Sequence, residues 1–249
     1  MKSSFILIFL TFVFACSNGA EKETLKIACA ANMQFAMDSI VDLFEDEQGI
    51  VCETTYGSSG MLTAQIENGA PYDLFFSANA AYPDHLYDLE KGEQPFNYAK
   101  GRLLFVYPKI KQYQSVESAM MDESIQRIGL ADNRTAPYGM AADAFLEAKN
   151  LKTNRLDKLV VGESIGQVNQ YIVTGAVDVA FTSYTFKIKH SDDYGYIEVD
   201  QSFFDPILQN AMVITNQEGV SSEAAKKMVD YIQSSKIKAV LNYFGYFTD

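Results

Sequence analysis

The chain has 249 residues, 48% of them hydrophobic and 21% charged, enough for one large domain or two lobes of about a hundred residues each and too apolar for a disordered chain. Lys and Arg number 20 against 32 Asp and Glu, a formal charge of -12. That charge repels phosphate backbones and anionic lipid, which excludes nucleic acid as a general partner.

In chain order, Lys2 precedes an apolar run over residues 5–14 that is too short to cross a bilayer as a permanent helix, and Ala15 and Cys16 follow at once. This is the pattern of an export signal. Val13-Phe14-Ala15-Cys16 resembles a bacterial lipoprotein cleavage box, in which the cysteine becomes the lipidated first residue, although Phe14 is bulkier than the small residue usual there. Residues 1–15 are then a signal peptide of the lipoprotein type and 16–24 a tether. The protein is expected outside the cytoplasm, in the periplasm or at the cell surface, held to the membrane by lipid on Cys16.

From residue 25 short apolar runs alternate with helical periodicity, as in strands separated by crossover helices. Residues 25–30 read as a strand, and Met33, Ala36, Met37, Ile40, Val41 and Phe44 share one helix face, with Asn32 placed to cap that helix. Strands are predicted over 51–56 and 73–77, helices over 61–67 and 82–89. An extended run over 102–108 suits a crossing to a second lobe, in which the alternation restarts: strands over 125–131, 159–161 and 177–181, helices over 140–149 and 165–173. A strand over 210–214 and helices over 223–233 and 237–244 are predicted to return to the first lobe. The expected fold is α/β, two Rossmann-like lobes with a cleft between them, the first formed by 25–104 and 209–249 and the second by 105–208. Cys29 and Cys52 fall on neighbouring predicted strands about three residues out of register, roughly 10 Å apart, too far for a disulfide.

Catalytic motifs are scarce. Neither histidine, His85 or His190, sits at a metal-ligand spacing, Gly57-Ser58-Ser59-Gly60 lacks the single-residue flanks of a nucleophile elbow, and there is no phosphate loop. What recurs is a short turn where a strand gives way to a helix: Ala31-Asn32, Ser58-Ser59, Pro137-Tyr138-Gly139 and Glu163-Ser164-Ile165-Gly166. A helix N-terminus presents unpaired N–H groups and a partial positive charge, so several converging on one cleft form an anion site without Lys or Arg.

At these residues the chain resembles the extracytoplasmic molybdate-binding proteins of ABC transporters, a branch of the two-lobed type II periplasmic binding proteins. The most specific segment is Tyr56-Gly57-Ser58-Ser59-Gly60 followed by Gln65-Ile66-Glu67-Asn68-Gly69-Ala70-Pro71 and Asp73-Leu74-Phe75. Ala30-Ala31-Asn32, Pro137-Tyr138-Gly139, Gly162-Glu163-Ser164-Ile165 and a closing Tyr243-Phe244-Gly245-Tyr246 support it. The resemblance implies that molybdate, and tungstate of nearly the same size, is held by Asn32, Ser59 and the backbone at Tyr138 and Ile165, with Ala31, Ser58 and Ser183 as further candidates. Thr182-Ser183 stands where one subgroup of the family has a tyrosine, with Tyr184 next to it. It also implies no enzyme activity, no cofactor, no bare metal cation, a permease partner, a monomer, and lobes that close on the ligand about segments near 103–107 and 209–213. The alternatives are a carrier of another small anion, a ferric-iron carrier using some of the 15 Tyr, and a secreted serine hydrolase pairing Ser58 or Ser59 with a histidine.

Overall fold

The computed structural model describes residues 24–215 and 222–248. The expected signal peptide, Cys16 and nearly all of the tether lie outside the described residues.

The first part of the chain forms β1 (Thr24–Ala30), α1 (Gln34–Gln48), β2 (Val51–Gly57), α2 (Ser59–Glu67), β3 (Leu74–Ser77), α3 (Ala81–Asp88) and β4 (Phe96–Lys100). The second part forms β5 (Leu103–Pro108), α4 (Val116–Met120), β6 (Ile128–Ala131), α5 (Pro137–Ala148), β7 (Leu159–Gly162), α6 (Ile165–Val173), β8 (Val179–Ser183), α7 (Tyr184–Lys189) and β9 (Tyr194–Glu198). The chain then returns through β10 (Leu208–Val213), α8 (Glu223–Ile232) and α9 (Ser235–Tyr243).

Two five-stranded sheets result, ordered β2-β1-β3-β10-β4 and β7-β6-β8-β5-β9. In the first, β1 runs parallel to β2 and β3, while β10 enters antiparallel between β3 and β4. In the second, β6 is parallel to β7 and β8, and β5 is antiparallel to β8 and β9. Each sheet has its own core. Ala36, Met37, Ile40 and Phe44 form the buried stripe of α1, and they pack with Ile27, Ala211, Met228, Ile237 and Leu241, so α8 and α9 cover the first sheet. Phe105, Phe145, Phe181 and Ile128 anchor the second core, which also takes in Ala30 and Ala78 at the edge of the first sheet. The lobes therefore touch, and the structure is closed.

The expected closing segments need adjustment. Residues 103–107 lie within β5 and 209–213 within β10, each hydrogen-bonded into a single sheet. The chain passes between lobes at Gly101-Arg102 and again over residues 199–207, and the two passages are joined by the Gly101 N–H donating to the Ile207 carbonyl at 2.8 Å. Cys29 and Cys52 are free thiols. Leu25 pairs with Cys52 and Cys29 with Tyr56, so the offset is four residues, or roughly 13 Å along the strand.

Candidate functional site

Four turns converge where the parallel strands end. After β1 the chain makes a 3₁₀ turn at Ala31–Met33 before α1. After β2, Ser58 is the extended N-cap of α2 and its hydroxyl accepts from the Met61 N–H. Across the cleft, α5 opens with Pro137, whose missing N–H suits a first helical position, and Ser164 caps α6 by accepting from the Gln167 N–H. Between them lies a small cavity lined by Ala30, Ala31, Asn32, Gly57, Ser58, Ser59, Ala136, Pro137, Tyr138 and Ile165. Asn32, Ser59, Tyr138 and Ile165 are brought together there, each buried, along with Ala31 and Ser58. Larger cavities of about 360 and 270 Å³ lie at the β5–α6 side of the second lobe and beside Phe204, but neither collects several helix N-termini.

Donors dominate the cavity. The Ser59 hydroxyl accepts from the Ala78 N–H at 3.0 Å, which leaves its own proton to donate. The Gly60 N–H is taken by the Thr135 carbonyl of the opposite lobe at 2.9 Å, and Met61 is taken by the cap, so α2 offers Ser59. No lining residue is charged. Burial pushes the Tyr98, Tyr138 and Tyr246 hydroxyls and the Cys29 thiol up from their ordinary values, so none of these groups beneath the cavity ionises near neutrality. Helix N-termini and neutral donors in a desolvated space favour one small anion and disfavour a cation.

Asn32 differs from expectation. The N-cap of its turn is Ala30, with no side-chain cap hydrogen bond, and Asn32 lies inside the turn. Its amide Nδ2 donates both protons inward, to Gln209 Oε1 and to the Tyr246 hydroxyl, each at 2.9 Å. The Tyr246 hydroxyl returns a proton to the Asn32 carbonyl at 3.0 Å, and Thr185 Oγ1 donates to that same carbonyl at 2.9 Å. Two acceptors buried below the turn draw the amide away from the cavity, so Asn32 offers its backbone N–H. Ser183 does not line the cavity. Its hydroxyl shares a proton with Thr185 Oγ1 at 2.7 Å. Tyr184 lies under the Arg102 guanidinium, 3.9 Å from ring centre to Cζ. Gln209, Tyr246 and Thr185 are the residues that sequence reasoning missed, and only the closing Tyr-Phe-Gly-Tyr motif hinted at one of them.

Both histidines lie elsewhere. His85 Nε2 sits 2.8 Å from Glu67 on the exposed side of α2 and α3, and His190 stacks on Phe186 at the end of α7.

Comparison with known proteins gives the family. Residues 25–247 match the model of the family described as bacterial extracellular solute-binding protein. The molybdate-binding protein ModA of Azotobacter vinelandii is 30% identical over 239 residues, covering 94% of this chain and 93% of the relative. A putative ABC transporter substrate-binding lipoprotein of Bacillus subtilis, YvgL, is 28% identical, covering 92% of this chain and 88% of the relative. The solved structure of the Azotobacter vinelandii periplasmic molybdate-binding protein superposes with a TM-score of 0.82 at 25% identity, over 90% of this chain and 99% of that one.

Proposed function

The chain belongs to the bacterial extracellular solute-binding protein family, and we propose that within it this protein captures molybdate, with tungstate as an equivalent ligand, and delivers it to the permease of an ABC transporter. One observation carries the reading: the cavity is built from four helix N-termini and contains no charged side chain. Molybdate is a tetrahedral dianion that accepts hydrogen bonds and donates none, so a site for it needs donors only. The N–H groups of Asn32, Ser59, Tyr138 and Ile165 and the Ser59 hydroxyl are five such donors. At about 1.5–3 kcal/mol for each charge-assisted bond they contribute on the order of 8–15 kcal/mol, from which the ordering of the cleft is subtracted. The overall negative charge does not oppose this, because solvent screens charges beyond roughly 8–10 Å.

The cavity is small beside the roughly 300–1,000 Å³ typical of sites for organic ligands. Sulfate has the same shape and charge as molybdate and is selected against by size, while phosphate brings a proton that needs an acceptor. Ferric iron would require anionic oxygen ligands, which the lining lacks. Hydrolysis would require a base beside Ser58 or Ser59, and His85 and His190 are engaged elsewhere, so the protein is read as a carrier without cofactor or catalytic residues.

The lobes are read as divided at the two passages, with Leu103 and Leu104 in β5 of the second lobe and Leu208 in β10 of the first rather than at the expected 104/105 and 208/209 boundaries, and the carrier as a monomer tethered through lipid on Cys16. The B. subtilis relative's description as a lipoprotein supports that tether. Calorimetry on the soluble mature chain with molybdate, tungstate, sulfate and phosphate tests the reading. Submicromolar binding of the first two and at least hundredfold weaker binding of the others is expected; equal affinity for sulfate would overturn it.

A further inference from the structure

Asn32 offers the cavity a backbone N–H from a 3₁₀ turn only three residues long. A piece that short does not hold its own conformation, so something outside it must fix the direction of that N–H. Three side chains grip the turn. Gln209 in β10 and Tyr246 beyond α9 hold the Asn32 amide, and Tyr246 and Thr185 hold its carbonyl. Gln209 is itself held, its Nε2 donating to the Ile207 carbonyl at 3.1 Å.

The closing Tyr-Phe-Gly-Tyr motif acquires a purpose here. Gly245 follows α9 in the left-handed region at φ 84°, the conformation that ends helices and favours glycine. A Cβ there would come within 2.0 Å of the Tyr184 ring. The Tyr246 N–H donates back to the Leu241 carbonyl at 3.0 Å, and this reversal turns the Tyr246 ring inward to reach Asn32. Asn32, Gln209 and Tyr246 all belong to the first lobe, so their bonds do not depend on closure. Thr185 reaches the Asn32 carbonyl from α7, which also packs Ile188 against the core of the first sheet.

We propose that Tyr246 and Gln209 are positioning residues of the anion site, which set the Asn32 turn in the first lobe before ligand arrives, and that Thr185 adds to their grip from α7. The inference rests on the reading of the cavity as the anion site, and preorganisation of this kind raises affinity by lowering the ordering cost of binding.

The test is Tyr246→Phe, which removes one hydroxyl that both accepts from and donates to Asn32 and keeps the ring. Molybdate Kd by calorimetry should rise at least tenfold, and the Asn32 backbone amide resonance of the ligand-free protein should shift. Tyr98→Phe is the control: its hydroxyl is equally buried but has no hydrogen-bond partner among the described residues, and its removal should leave Kd within twofold. Gln209→Met, which takes away the other acceptor, serves should Tyr246→Phe fail to fold. A folded variant with unchanged Kd and an unshifted Asn32 amide would overturn the proposal. Should the unaltered protein not bind molybdate, the functional reading fails by itself, and the amide shift in the ligand-free variants still decides the positioning role.

Discussion

Gly60→Ala separates closure from folding in one substitution. Gly60 is the second residue of α2, and a Cβ built on it would lie 2.9 Å from the Tyr82 hydroxyl, 3.0 Å from Thr135 Cα and 3.1 Å from Thr135 Cβ. The tyrosine end can swing away. Thr135 is backbone of the opposite lobe, and ordinary contact begins at 3.4 Å, so that lobe must retreat by about 0.4 Å or more. The retreat stretches the bond from the Gly60 N–H to the Thr135 carbonyl, now 2.9 Å. Overpacking against a part that can yield, together with a weakened interlobe hydrogen bond, costs about 1–3 kcal/mol of closed-state stability. Only the closed state assembles all the donors, so Kd for molybdate should rise roughly 5- to 150-fold. In the open state the methyl has space, and alanine favours helix over glycine by up to about 1 kcal/mol. The ligand-free melting temperature should therefore hold or rise while affinity falls. Calorimetry and thermal melting on the same preparation give both numbers. Unchanged affinity would refute the argument that Gly60 governs the approach of the lobes, and a parallel loss of ligand-free stability would refute its separation from folding.

Ser59→Ala removes the hydroxyl donor while Ser58 continues to cap α2, so molybdate affinity should drop by about 1–3 kcal/mol with the fold intact, as calorimetry would measure. Molybdate affinity should be flat between about pH 6 and 8, because no histidine lines the cavity and the phenols beneath it are pushed upward by burial. Stability should behave differently at high pH: the buried Cys29 thiol is raised by desolvation, so its contribution is complete below the unfolded value of about 8.5 and is lost as pH rises from there towards its folded value, lowering the melting temperature. Cys16→Ser should release the protein from the membrane fraction with oxyanion binding unchanged, checked by fractionation after a high-salt wash.

The strands and helices that alternate along the chain were legible because burial on one stripe or on both faces leaves a period in the sequence, as in α1 and in β6, whose four residues are all buried. β4 and β9 were not. Phe96–Lys100 and Tyr194–Glu198 mix polar and apolar residues without alternation because both are partly exposed edge strands, β4 having only the single bridge from Lys100 to Phe247 on its outer side. The antiparallel entry of β10 between β3 and β4 is set by the return path of the chain and leaves no local mark. At the site, each strand-to-helix turn announces itself through its cap or proline, and so Ser59, Tyr138 and Ile165 were readable. The orientation of the Asn32 amide was not, since its partners are 177 and 214 residues away in the chain and an asparagine before a helix reads locally as a cap.

One tetrahedral dianion is proposed to sit between the lobes, held by the ends of four helices. Diffraction at the molybdenum absorption edge from crystals grown with molybdate tests it most directly. One anomalous peak is expected inside the cavity, with the oxygens of the anion within hydrogen-bond distance of the N–H groups of Asn32, Ser59, Tyr138 and Ile165 and of the Ser59 hydroxyl. A peak at any other place on the protein, with this cavity empty, would contradict it.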